Sequence, residues 1–303
     1  MSLSRCLQPF VFAVFFGFSP TLFATNIAND YQQTPITSNQ IIHLATQQTI
    51  SFHDFAKQLA EYDNVILGEY HDRVNQHILA TQLLDNLQKI RPQGSLLLEM
   101  LSVEQQDFVN QTQQNPPKNL NKLATLLNWQ KSWDWQLYGD IVKHPFLYNY
   151  PLIATNLTKT EVKILMQGAE PIKGYQSTKP LIKQHIFNTI IKNHDMKADE
   201  LDESDQRLVN NMVEIQQFRD RRMAEKMLSA PKPTLLLAGN YHTQKNIGVP
   251  IHLQDLTQDL ADNDPKKSSK TAVVMMLSNT AELGEIDTTK ADFAWVIAEK
   301  NKK

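Results

Sequence analysis

Two short segments of this chain repeat one chemistry-bearing pattern. Val65-Ile66-Leu67-Gly68-Glu69-Tyr70-His71 and Leu236-Leu237-Ala238-Gly239-Asn240-Tyr241-His242 each pass from apolar residues through a glycine to a histidine three positions on. A glycine after a strand permits a sharp turn with positive φ, which would aim each histidine off the strand end. Asp72 follows the first histidine, and two further apolar runs stop at Glu99 and Asn156. Imidazoles beside carboxylates suit proton transfer. Glu69, His71, Glu99 and His242 could also ligate a divalent metal through nitrogen and oxygen, leaving a position open for a water that attacks a substrate. Zinc, manganese and iron all accept such donors. The chain has no His-Glu-x-x-His helix and no Gly-x-Ser-x-Gly elbow, so the commonest zinc-protease and serine-hydrolase routes are closed. A purely structural hydrogen-bond network, with Arg219 bridging Glu69 and Glu99, uses the same residues without catalysis.

Arg219 enters through a helical pattern from Glu203 to Ser229. At 100° per residue, Leu208, Met212, Ile215, Met223 and Lys226 share one face, and Arg219 falls near its middle. An inward arginine needs a partner, here Glu69, Glu99 or a bound anionic group, unless its head snorkels to water. Asp220 is either a second polar contributor or solvated.

The elements that must position these groups are continuous apolar runs at 65–67, 95–98, 151–154, 234–238, 272–277 and 293–297. Such runs are the mark of strands buried on both faces, and helical patterns lie between them. The alternation predicts an α/β fold: a central, largely parallel sheet flanked by helices. The stretch from Thr158 to Ser229 has no strand run and reads as an inserted helical subdomain. Asn110 to Pro117 and Asp259 to Lys270 read as surface loops. In an open α/β sheet ligands bind beyond the carboxyl ends of the strands, where Glu69, His71, Asp72, Glu99, Asn156, Asn240 and His242 would converge, joined by Arg219 and Asp220 from the long helix.

The chain has 303 residues, 30 Lys+Arg against 32 Asp+Glu, and a single cysteine, Cys6. The balance gives no positive field to hold nucleic acid. Arg5, the apolar run Leu7 to Phe18 and Leu22-Phe23-Ala24 form the pattern of an export signal, too short to span a bilayer. Removing residues 1–24 leaves 279 residues without a thiol, which excludes disulfides, iron–sulfur clusters, thiolate zinc sites and cysteine nucleophiles. The expected layout is a signal peptide at 1–24, a mobile arm at 25–40, and one α/β domain at 41–303 carrying the helical subdomain at about 158–229.

Several motifs together resemble a known family. They are Ile66-Leu67-Gly68-Glu69-Tyr70-His71-Asp72 with His77, Leu97-Leu98-Glu99-Met100, Trp133-Asp134-Trp135 with Tyr138, Ile153-Ala154-Thr155-Asn156-Leu157, Gln216-Gln217-Phe218-Arg219-Asp220 with Met223-Ala224, and Ala238-Gly239-Asn240-Tyr241-His242 with Gly248-Val249-Pro250. In order and spacing they resemble the ChaN family of iron-regulated haem-binding proteins, within a superfamily that includes Tiki and erythromycin-esterase-like proteins. The resemblance spans about Ile41 to Glu299. It implies an α/β domain with a helical subdomain, haem binding, and haem or iron acquisition at the bacterial envelope. Tiki-like members imply metal-dependent hydrolysis as the rival function. Many family members are lipid-anchored, whereas Cys6 precedes the apolar run, so the expected product is exported, periplasmic or envelope-associated, and not lipidated.

With no thiolate, haem iron would take His, Met or Tyr, and a phenolate stabilises the ferric state. Of eight tyrosines, Tyr150 and Tyr175, then Tyr148, are the expected ligands, since they flank the helical subdomain that would supply apolar walls. Lys173, Lys179 and His185 are the expected propionate donors. A haem with one flat face exposed leaves room for a second subunit, so the expected partners are haem, a homodimer mate and an outer-membrane haem uptake system.

Overall fold

The computed structural model describes residues 36–168 and 170–299. The export signal and residues 25–35 of the expected arm lie outside the described residues. The remainder of that arm is not loose: β1 (Ile36–His43) pairs antiparallel with β2 (Gln48–Ile50) and with the last strand of the sheet, β8 (Phe293–Glu299). The polar sequence Ser38-Asn39-Gln40 hides this strand, which takes its place at the sheet margin through backbone pairing to Ala298, Ile297 and Val296.

Each apolar run forms a strand: β3 (Asn64–Glu69), β4 (Ser95–Ser102), β5 (Leu152–Asn156), β6 (Thr234–Gly239), β7 (Thr271–Leu277) and β8. The eight-stranded sheet has the order β2-β1-β8-β7-β3-β6-β4-β5, and the pairs from β8 across to β5 are all parallel. Alternate residues face opposite layers. Val65, Leu67, Leu96, Leu98, Leu235 and Leu237 pack under α1 (Phe52–Leu59), α2 (Val74–Ile90) and α5 (Trp135–Tyr148). Ile66, Leu97, Leu236 and Ala238 pack on the other face under α8 (Glu203–Ser229) and α10 (Val249–Gln258). Complete burial of a Leu or Ile side chain stabilises by about 1.5–3 kcal/mol, so the two layers are the main source of cohesion.

Three short or peripheral helices complete the first layer and the strand ends: α3 (Gln106–Gln114), α4 (Leu123–Leu126) and α9 (Asn240–Thr243). The expected loop at Asn110 to Pro117 is thus mostly helix. Its polar composition misleads, because Val109 and Thr112 are buried while Gln106 and Gln113 bond the backbone of β5 and Tyr150. Between β5 and β6 the chain is helical, with α6 (Lys159–Met166), α7 (Pro180–Asn193) and α8. Capping boxes open α6 at Thr158/Glu161 and α8 at Asp202/Asp205.

The connections set the site. After β3 the chain crosses over β6 to β4 through α2 on one face, and after β6 it crosses over β3 to β7 through α10 on the other face. Neighbouring strands whose outgoing chains leave in opposite directions open a crevice at their carboxyl ends. Glu69 and Gly239 lie at that opening.

Candidate functional site

The two glycines serve close approach rather than a left-handed turn, since Gly168 is the one glycine with positive φ among the described residues. A Cβ at Gly68 would collide with Asn240 and Thr243. A Cβ at Gly239 would stand 3.0 Å from His71 Nε2 and 3.6 Å from Glu99 Oε2, so the bare glycine lets the two sets of groups meet across it.

On the β3 side Glu69 is fully buried behind the crevice. His71 Nδ1 lies 2.5 Å from its Oε1, Tyr138 donates to the same oxygen at 2.9 Å, and His77 Nε2 stands 3.3 Å from Oε2. His77 donates from Nδ1 to the Arg73 carbonyl at 2.8 Å, which directs its other nitrogen to the carboxylate. Trp133 meets the His71 ring edge-on at 4.8 Å. Burial pushes the Glu69 carboxyl up, but the His71 charge and the hydrogen bonds from both histidines overcome it and hold Glu69 below the usual range. Burial lowers His71, and the Glu69 charge with its hydrogen bond more than offsets this, raising it to about 9.

On the β6 side Glu99 accepts from the Gly239 amide at 2.8 Å and lies 3.3 Å from His242 Nε2. Asp220 of α8 lies 2.5 Å from His242 Nδ1 and accepts from Gln216 at 3.2 Å. His242 thus sits between two carboxylates. Burial lowers it, and Glu99 and Asp220 together raise it to about 10. Glu99 is held far below the usual range, burial being outweighed chiefly by the His242 charge, whereas burial leaves Asp220 raised to about 6.

These pairs open onto a cavity of about 1300 Å³. His71, Asp72, Glu99, Asn156, Arg219 and His242 line it, so six of the nine sequence-derived crevice residues face one space. Glu69 and Asp220 stand behind the histidines, and Asn240 turns away to donate to the Met276 carbonyl at 2.7 Å. Asn156 braces the floor by donating to the Glu99 carbonyl at 3.0 Å. The walls come from α6 (Lys159, Val162, Lys163, Met166) and α7 (Ile186, Thr189, Ile190, Asn193), each a stripe at spacing i, i+3, i+4, i+7, with Trp133, Leu137 and Met100 completing an apolar surface.

The expected Arg219 bridge is not formed, and the metal and haem candidates lie as follows. Arg219 makes no ion pair with Glu69 or Glu99; its Nε is buried without a hydrogen-bond partner. The buried residues of α8 are Val209, Val213, Ile215, Gln217, Asp220, Met223, Ala224 and Met227, so of the expected face Ile215 and Met223 are buried while Leu208 is exposed. Among the described residues no three His, Asp or Glu side chains gather to hold a metal ion, since Glu69 and Glu99 are already engaged by histidines. None of the three tyrosines expected to ligate haem lines the cavity. Tyr148 and Tyr150 follow α5 to the amino edge of the sheet, where Tyr150 is buried with its hydroxyl 2.5 Å from His144 Nδ1 and Tyr148 stacks on that ring. Tyr175 donates to Asp259 at 2.6 Å at the far end of α10. Lys173, Lys179 and His185 also lie off the cavity lining. Tyr138, His77 and Gln216 hold the histidines and carboxylates in place, and the signal for them in the sequence is their place inside the family-like motifs.

Residues 55–253 match the family described as haem-binding uptake, Tiki superfamily, ChaN. The chain belongs to this ChaN family. A solved structure of ChaN of Campylobacter jejuni, described as showing cofacial haem binding, is 32% identical with a TM-score of 0.75, over 88% of this chain and 98% of that one. The type III effector HopBA1 (10% identity, TM-score 0.41, 81% of this chain and 92% of that one) and the erythromycin esterase EreC (14%, 0.40, 87% and 84%) are more distant. No curated protein sequence matches. Membership places this ChaN-family chain among haem-binding proteins. Among its described residues no helix is long and apolar enough to cross a membrane.

Proposed function

We propose that this protein is exported, binds ferric haem in the cavity at the carboxyl edge of the sheet, and takes part in haem and iron acquisition at the bacterial envelope. The observation that carries the reading is the cavity itself: about 1300 Å³ between α6 and α7, whose Val162, Met166, Ile186 and Ile190 alternate with polar side chains, and the Trp133 and Leu137 wall. This exceeds the roughly 300–1,000 Å³ of ordinary small-molecule pockets and suits a broad apolar ring with a few polar anchors. Cofacial haem binding in the Campylobacter jejuni relative supports the same ligand here and a homodimer in which each subunit closes the other's haem. The leader at 1–24 supports export and delivery from an outer-membrane haem uptake system.

Two phenols line the cavity: Tyr138 is buried and donates to Glu69, whereas Tyr241 is 41% exposed, its hydroxyl 2.7 Å from Asn193 Oδ1. Among the described residues, Tyr175 and Tyr148 are the exposed phenols outside it. Hemin titration of the purified protein tests the function: a tyrosinate-type high-spin ferric spectrum is expected, and an unchanged free-hemin spectrum at micromolar protein would sink the reading. Loss of that signature in Tyr241→Phe, Tyr175→Phe or Tyr148→Phe identifies the ligand.

A second reading, hydrolysis, is favoured by one observation: His71 and His242, each held by a carboxylate, line the same cavity. Metal content after mild purification, and hydrolysis by wild type against His71→Ala and His242→Ala, decide it. Background values throughout make the crevice a structural network.

A further inference from the structure

The sheet has two margins. At one, β2 spans 3 residues, too short to template much pairing. At the other, β5 is an edge strand of 5 residues whose outer row of backbone groups is not left open. Pairing to β4 turns the Pro151 carbonyl inward, where it accepts from the Leu96 amide at 2.9 Å, so the Tyr150 and Leu152 carbonyls and the Leu152 and Ala154 amides point outward. Two side-chain amides of α3 fill this row. Gln113 donates to the Tyr150 carbonyl at 2.8 Å and accepts from the Leu152 amide at 3.1 Å. Gln106 donates to the Leu152 carbonyl at 3.1 Å and accepts from the Ala154 amide at 2.7 Å.

In a parallel ladder a residue of the neighbouring strand donates to the carbonyl before its partner and accepts from the amide after it. Each glutamine reproduces that pair of bonds, Gln113 about position 151 and Gln106 about position 153, so the two carboxamides stand where alternate residues of a ninth strand would. Gln106 and Gln113 are two helical turns apart, which sets both on one face of α3 with Val109 between them. The cover is a light one. In α3 only Val109 and Thr112 are buried, and Phe108 stays 43% exposed, so little apolar surface holds the helix down beside the four hydrogen bonds.

We propose that α3 is an autoinhibitory edge cover: Gln106 and Gln113 hold the β5 margin closed against β5 of a second copy of this chain. A second copy is the partner the geometry favours. A two-fold axis beside the edge places the same outward row on both sides, and in an antiparallel pair each copy's bare carbonyls and amides satisfy the other's. Leu152, Ala154 and Thr155 are already buried within their own domain, so such a pair is made by backbone alone. β5 also delivers Asn156 to the cavity lining, and the cover keeps a strand from being added beside that wall. The inference is independent of the haem reading.

Hemin-free protein tests it, by light scattering across a concentration series together with amide exchange. Gln106→Ala/Gln113→Ala bares the outer row and should self-associate at least about tenfold more tightly than wild type, about 1.4 kcal/mol. Exchange at the Leu152 and Ala154 amides should be fast in the dilute variant and slow again as the concentration rises. Gln106→Glu/Gln113→Glu keeps acceptors for the two amides but puts charge on the edge, so it should not associate. A folded alanine double variant that associates no more than wild type overturns the proposal, and so does association without renewed protection at Leu152 and Ala154. Should the double variant fail to fold, Gln106→Ala and Gln113→Ala singly decide, each baring one carbonyl and one amide: no gain in association by either folded single variant overturns the edge cover.

Discussion

Asp220→Asn separates a charged clamp on His242 from ordinary hydrogen bonding. Asp220 is fully buried, with Oδ1 2.5 Å from His242 Nδ1, and Glu99 Oε1 stands 3.3 Å from the other ring nitrogen. Asparagine keeps the shape and an acceptor oxygen but removes the charge. Breaking a buried ion pair costs about 3–5 kcal/mol, and relief of the desolvation that raises Asp220 to about 6 offsets part, so a loss of about 3 kcal/mol is expected at pH 7. At about 2 °C per kcal/mol for a domain of this size, Tm falls by about 6 °C. The pH dependence supplies a second, independent readout. His242 titrates at about 10 in the folded protein against about 6.5 unfolded, so its contribution is fully present below pH 6.5 and is lost as pH rises through 10. His71, raised to about 9, contributes in the same sense, while Asp220 itself titrates below this window. Wild type should therefore lose stability from pH 7 to 10, and Asp220→Asn should lose less, since its His242 lies nearer the unfolded value. Thermal unfolding followed by circular dichroism at pH 7, 8.5 and 10 measures both. A variant within about 0.5 kcal/mol of wild type at pH 7, with an equally steep alkaline decline, refutes the clamp.

Two further outcomes follow from the same geometry. Tyr138→Phe removes the buried donor to Glu69 at 2.9 Å and should destabilise by about 1.5–3 kcal/mol in urea unfolding; a change below about 0.5 kcal/mol would show that the hydroxyl contributes nothing to the Glu69 cluster. Asp255→Ala should release the strap between α6 and α7, because that carboxylate accepts from the Gln176 and Ser177 amides at 2.6 and 3.1 Å and from Ser177 Oγ at 2.5 Å, and pairs with Arg221 at 3.3 Å. Amide exchange at Gln176 and Ser177 should accelerate more than exchange in β3 and β6; equal acceleration in strap and strands argues against a local latch.

The amino-acid sequence by itself determined the sheet and the place where chemistry would gather. Runs such as 65–67 and 234–238 can only be strands buried on both faces, and their polar ends, Glu69 with His71 and Asn240 with His242, had to emerge on one edge of a parallel sheet. What pairs with what was decided only by tertiary structure. Arg219 and Asp220 are adjacent in sequence, yet the seating of α8 buries the carboxylate against His242 and leaves the arginine lining the cavity. Tyr148 and Tyr150 are near the helical subdomain in sequence, but α5 carries them to the opposite edge of the sheet. Glycine at 68 and 239 was legible as a requirement, while its reason, clearance for Asn240 and His71 rather than a left-handed turn, was not. Periodicity and composition report which residues leave water; hydrogen bonds and ion pairs act over a few ångströms between segments far apart in sequence, such as Glu99 and the Gly239 amide, 140 residues on, and only the folded chain brings those together.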